Sequence, residues 1–131
     1  MIVYSNEPNL PADEFADVFR RSGINRPYTD LPRMKQMVKR ADLIITARHE
    51  GILVGVARSL SDDCFACYLS DLAVDRAYQK QGIGKELVAR TRQAIGEATV
   101  LLLIAAPEAK DYYAKIGFEK MDRAWWINRT R

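Results

Sequence analysis

Three β-rich runs follow one another with almost nothing between them. They are Leu43 to His49 ("LIITARH"), then, past a turn at Glu50–Gly51, Ile52 to Leu60 ("ILVGVARSL"), then, past "SDD", Cys64 to Val74 ("CFACYLSDLAV"). Connections this short cannot hold a crossover helix, so each run has to reverse on the one before it, and an antiparallel meander is the simplest result. Whatever else the chain builds must pack on that sheet.

Ahead of the meander, "IVYS" reads as a short strand, and Pro11 followed by Asp13 and Glu14 marks a helix start. Phe15, Val18 and Phe19 recur at i, i+3 and i+4, which predicts a helix over Pro11–Arg21 ended by Gly23. A loop, "INRPYTDLP", leads to a second helix over Arg33–Arg40, with Met34, Met37 and Val38 at the same spacing. Behind the meander, apolar or small residues at Gly84, Leu87, Val88, Thr91 and Ile95 predict another helix, closed by Gly96. "VLLLI", Val100 to Ile104, is a continuous apolar run, as expected of a strand covered on both faces. Pro107 opens a last helix, "PEAKDYYAKI", with Gly117 at its end, and "FEKM" and "AWWINR" are expected to form a final hairpin. The order β-α-α-β-β-β-α-β-α-β-β predicts an α/β fold, with residues 1–131 as a single domain.

The balance of 48% apolar and 28% charged residues is that of an ordinary globular chain. Lys and Arg number 20 against 17 Asp and Glu, and the basic residues are dispersed, which argues against nucleic acid as a partner. The longest apolar run, Ala98 to Ala106, falls far short of the roughly 20 residues of a membrane span. With no cationic-then-apolar leader, the cytoplasm is the expected compartment. Cys64 and Cys67 form a C-x-x-C, but a second ligand pair is lacking and His49 is the only histidine, so no metal site is expected. The two cysteines are read as reduced and partly buried.

Between strand and helix lies "QKQGIGK", Gln79 to Lys85. The first amides of a helix have no carbonyl partners of their own, and the helix dipole favours an anion beside them. Gly82 and Gly84 remove the side chains that would keep a phosphate away, with Lys80 and Lys85 flanking. Neither the P-loop spacing nor that of a dinucleotide loop is present. By itself the stretch reads equally well as a tight strand-to-helix turn.

"LAVDRAYQKQGIGKELV" resembles the acetyl-CoA-binding segment of the GNAT superfamily of N-acetyltransferases, [Q/R]-x-x-G-x-[G/A], through Gln79, Gly82 and Gly84. "APEAKDYYAKIGF" resembles that superfamily's later motif, A-x-x-[F/Y]-Y-x-x-x-G-F, through Ala109, Tyr112, Tyr113, Gly117 and Phe118. Where relatives often carry an asparagine before this second motif, the chain has Ala106. The resemblance implies a mixed, mostly antiparallel central sheet of about seven strands flanked by about four helices. It also implies acetyl transfer from acetyl-CoA, as co-substrate, to a primary amine by direct attack in a ternary complex.

Carried onto this chain, the resemblance puts the pantetheine arm against the backbone of Leu72, Ala73 and Val74. It puts the pyrophosphate against Gln79, Lys80, Gln81, Gly82, Ile83, Gly84 and Lys85. Tyr113 is the implied proton donor to the departing sulfur, and a phenol with pKa about 10 is protonated at neutral pH. A core tyrosine is the plainer alternative, since Ala109, Tyr113 and Ile116 share a helical face. Tyr112 points elsewhere and either packs or touches the cofactor. Asp71 stands where many relatives have a glutamate acting as base through water, with a structural ion pair as the alternative. His49 is read as an exposed strand-end residue. Acceptor recognition falls to the loop between the first two helices, where Arg26 can fork onto a substrate carboxylate and Tyr28 can wall the pocket; Arg33 either joins them or supports its helix. Trp125 and Trp126 must face opposite ways, one expected in the core and one on a pocket wall or dimer contact. A small-metabolite amine such as an amino acid is the favoured acceptor. A protein or peptide acceptor, a non-catalytic acyl-CoA-binding module and a homodimer remain open.

Overall fold

The computed structural model describes residues 1–131. Strands β1 (Ile2–Asn6), β2 (Leu43–His49), β3 (Ile52–Ser61), β4 (Ala66–Val74) and β5 (Val100–Leu102) form one sheet in that order. The first three contacts are antiparallel, and β5 joins β4 in parallel through Ala66, Cys67 and Tyr68 alone. The meander read from the sequence is therefore the centre of the fold.

Helices α1 (Ala12–Ser22) and α2 (Leu31–Arg40) cover one face, where Phe15, Phe19, Met34 and Val38 pack with Ile44, Val56 and Ala73. Acidic residues begin α1 and Arg20 and Arg21 end it, both in accord with the helix dipole. Asp30 caps α2 by accepting from the Arg33 amide at 3.1 Å. Helix α3 (Ile83–Ile95) covers the other face, its Ile83, Leu87, Val88 and Ile95 meeting Leu43, Ile45, Ala47, Ala57, Cys67 and Leu69. Gly55 lets α3 approach: a Cβ there would stand 3.1 Å from Ile83 Cγ2 and 3.2 Å from Leu87 Cδ1.

The sheet has five strands where seven were expected. Residues 118–131 form no strand, so β5 is an edge, with Val100 and Leu102 exposed on it and Ile104 exposed just beyond it. A hairpin alone is marginal, and "FEKM" and "AWWINR" carry strand propensity without a docked partner. Both tryptophans are exposed, so neither enters the core. The expected helix after Pro107 is broken into a 3₁₀ turn, Pro107–Ala109, and a one-turn α4, Tyr112–Lys115. Cys64 is an exposed turn residue, whereas Cys67 is fully buried on β4; both thiols are free. No helix is long and apolar enough to cross a membrane.

Gly55→Val would drive a side chain into the ends of Ile83 and Leu87. We expect it to cost about 1–3 kcal/mol by overpacking, read as a lower urea midpoint at unchanged slope.

Candidate active site

Strand β4 stays paired to β3 as far as Val74 but loses β5 after Tyr68. Beyond that point the two neighbours part, and a cleft of about 990 Å³ opens between Leu69–Leu72 of β4 and Leu103–Ala109 of the following segment. The loop after α1 and the C-terminal residues Trp126, Asn128 and Arg129 complete its wall. Half-buried Tyr113 lines it, with its ring edge-on to Tyr112 and Phe118 at 5.3 and 5.5 Å. Burial, and secondarily Tyr112, push the Tyr113 phenol above its ordinary value of 10, while Arg26 pulls the other way.

A register shift between Arg58 and Ser59 opposes one extra β4 residue, Ser70, to the partner strand. Cys67 and Leu69 face α3, whereas after the bulge Ala73 faces the α1–α2 layer. Asp71 is buried, 1% exposed, and pairs with two arginines at once: Oδ1 accepts from Arg26 Nε, and Oδ2 from Arg58 Nε. Arg26 Nη2 also donates to the Ser70 carbonyl at 2.8 Å, and Arg58 Nη2 to Ser70 Oγ at 3.1 Å. Burying charges is costly unless each is paired and hydrogen-bonded, and here the pairing is complete. Of the two readings left open for Asp71, the ion pair is the one realised in this arrangement, with both carboxylate oxygens engaged. Arg26, expected to take a substrate carboxylate, is spent on Asp71 instead. Tyr28 lies outside the cleft wall, whereas Arg33 is part of it.

The glycine turn lies on the α3 side. After a 3₁₀ turn at Arg76–Tyr78, Lys80 and Gly82 both take positive φ, 66° and 84°, and Gly82 caps α3. Glu86 is the first α3 amide to find a carbonyl, that of Gly82 at 3.0 Å. The amides of Lys80, Gln81, Gly82, Ile83, Gly84 and Lys85 have no acceptor within the chain. Nothing stands within 4 Å of where a Gly82 Cβ would be, so the approach to these amides is open. The Tyr112 hydroxyl would lie 3.1 Å from a Cβ on Gly84, which ties the second motif to the first. Gln79 uses its side chain internally, donating to the Val74 carbonyl at 2.9 Å and more weakly to that of Ser22. Arg21, bonded to Asp75 and the Leu53 carbonyl, fixes the same turn to α1. His49 Nδ1 lies 2.7 Å from the Tyr78 hydroxyl.

Several wall residues escaped the sequence reading. Arg58 had a signal, since an arginine inside "ILVGVARSL" needs a buried partner, and "SDLAV" in the next run offers one. Arg129, which in the sequence reads with Arg123 and Arg131 as a solvated edge, and Glu108 are both exposed and without an ion pair; nothing local marks either for the wall, because their place in it depends on segments outside the regular elements.

Residues 15–125 match the model of the acetyltransferase (GNAT) domain. An uncharacterized N-acetyltransferase, ycf52, of Porphyra purpurea is 30% identical over 91% of the chain and 71% of its own length. Longer acetyltransferases of Arabidopsis thaliana and Glycine max, 33–36% identical, match 51–55% of the chain, which spans only 28–30% of their length. Among solved structures, a probable acetyltransferase of Staphylococcus aureus superposes with a TM-score of 0.83 at 19% identity, covering 98% of this chain and all of that one. The aminoglycoside N-acetyltransferase AAC(6')-Iy, solved in complex with CoA, superposes at 0.72 with 16% identity, covering 100% of this chain and 96% of that one. With both motifs, the fold and the relatives in agreement, the chain belongs to the GNAT family of N-acetyltransferases and is an acyltransferase.

Proposed function

We propose that residues 1–131 form one catalytic unit that transfers the acetyl group of acetyl-CoA to the primary amine of a small metabolite, such as an amino acid, by direct attack in a ternary complex. The observation that carries this reading is the cleft left by the parting of β4 from β5, with Tyr113 in its wall. The residues present fit the donor. The free amides from Lys80 to Lys85 at the start of α3 would hold the pyrophosphate. The outer edge of β4 at Leu72, Ala73 and Val74, which β5 does not pair, would hold the pantetheine arm. Gln79 supports the turn through its internal hydrogen bonds, and Tyr112 packs against Gly84.

The donor supplies an acetyl group activated as a thioester. The acceptor nitrogen forms the amide bond as the carbon–sulfur bond breaks, so that one proton passes overall from nitrogen to sulfur. Tyr113 Oη carries the sulfur end of that transfer, and its raised pKa keeps the proton in place across neutral and mildly alkaline pH. Asp71 acts as a positioning residue: with both oxygens committed, it holds Arg26 and Arg58 in the wall. The acceptor must be neutral to attack, and rising pH increases its neutral fraction without a dedicated base.

AAC(6')-Iy acts on aminoglycosides according to its name, so small-molecule amines are substrates elsewhere in this fold. A peptide or protein acceptor is the second reading, which turnover of peptide amines in preference to small ones would favour. We place the reaction in the cytoplasm, where two free thiols are at home. A homodimer is compatible with the exposed edge of β5.

Thiol release with acetyl-CoA across a panel of amines tests the reading together with Tyr113→Phe. That variant should lose about 10²- to 10⁴-fold in kcat while binding CoA with unchanged affinity by calorimetry. The wild-type rate should rise with pH as the acceptor ammonium loses its proton, with no falling limb below about pH 10, the ordinary value of the phenol. A wild-type kcat left intact by Tyr113→Phe would contradict the role, and CoA uptake with no thiol release from any amine would point to a non-catalytic binding module.

A further inference from the structure

The cleft wall carries four arginines, Arg26, Arg33, Arg58 and Arg129, and two carboxylates, Asp71 and Glu108. Arg26 and Arg58 are consumed by the one buried carboxylate. Arg33 and Arg129 have no ion pair, and neither guanidinium donates a hydrogen bond within the chain. Glu108 is the sole uncommitted negative charge of the wall. The field an incoming amine meets is therefore positive in excess, and it is set by two planar forks that suit carboxylates.

Resting on the reading above, we propose that the acceptor is an amine that also bears a carboxylate, and that Arg33 and Arg129 select it. The two arginines come from opposite ends of the chain. Arg33 sits in the first turn of α2, where Asp30 bonds its amide rather than its side chain, and Arg129 lies on the C-terminal segment that lines the cleft. A guanidinium from each would engage the acid while the amine lies deeper, toward Tyr113. Glu108 would favour the ammonium form at entry. The same charge pattern disfavours a polycation: an aminoglycoside, substrate of the structural neighbour AAC(6')-Iy by its name, would bring several ammonium groups against unpaired guanidiniums. Fold similarity to that enzyme thus does not extend to its acceptor.

The test is thiol release at saturating acetyl-CoA with α- and ω-amino acids, each set beside its primary amide and the matching diamine, and with an aminoglycoside. The best acid should exceed its own amide by about tenfold or more in kcat/KM, the worth of one charge-assisted hydrogen bond. Arg33→Gln and Arg129→Gln should each lower kcat/KM for the acid by most of that factor and for the amide by clearly less, so that the acid-to-amide ratio falls toward one while the CoA dissociation constant stays unchanged. Equal use of acid and amide, preference for diamines or the aminoglycoside, or variants that slow acid and amide alike would overturn the proposal. So would CoA uptake without turnover of any acidic amine, which leaves the donor half of the reading standing. Absence of CoA uptake by the wild-type chain would instead overturn that reading, and this inference with it.

Discussion

Strand β4 is held along one edge by β3 from Cys67 to Val74 and along the other by β5 for three residues only. A sheet that zipped shut on both sides would have no cleft, and one that did not zip at all would have no β5. The three shared pairs anchor the divergence, and the outer half of β4 is left with main-chain groups that β5 does not satisfy. Buried backbone groups demand partners, so a strand edge opened beside a cleft is a standing invitation to a ligand with amide chemistry of its own.

The divergence has to be rigid to be useful, and charge provides the rigidity. At the Ser70 bulge the β4 backbone re-aims, and Asp71 becomes the hub of two guanidiniums from different elements, Arg58 of β3 and Arg26 of the loop after α1. Removing one partner of such a buried set leaves an uncompensated charge, typically worth about 3–5 kcal/mol, so the network resists partial change. It joins the loop after α1 to β3 and β4. On the opposite side, Gly55 admits α3 to the sheet, and the contacts of Arg21 and Gln79 fix the glycine turn against α1 and the end of β4. The glycine turn and the loop after α1 are thus referenced to the same two strands.

What was legible in the sequence follows from the range of each signal. The helices with strong periodicity, α1, α2 and α3, and the meander are local patterns, and each stands within a residue or two of its expected place. The glycine turn was legible for the same reason: Gly82 adopts a conformation and Gly84 a close approach that the adjacent residues already demand. The terminal hairpin failed because strand propensity says nothing about the partner, and Trp125, Trp126 and Ile127 remain exposed without one. "VLLLI" failed in part for a related reason: hydrophobicity predicted two covered faces, yet only Leu101 and Leu103 pack inward. Asp71 was placed in the site by its motif neighbours, but its two partners were set by a bulge and a loop that no spacing rule encodes. Arg26 was singled out for the right chemistry, a fork onto a carboxylate, with the wrong carboxylate.

The central claim is that unpartnered amides at the start of α3 receive the diphosphate of coenzyme A while the open edge of β4 receives its arm. Amide NMR during titration with free CoA tests this most directly. The account predicts that the largest shifts, downfield as expected of new hydrogen bonds to phosphate, fall on Gly82, Ile83, Gly84 and Lys85, with a second set on Leu72–Val74. Saturable shifts confined elsewhere, such as the hollow of about 220 Å³ beside Arg90, with those amides unmoved, would contradict it.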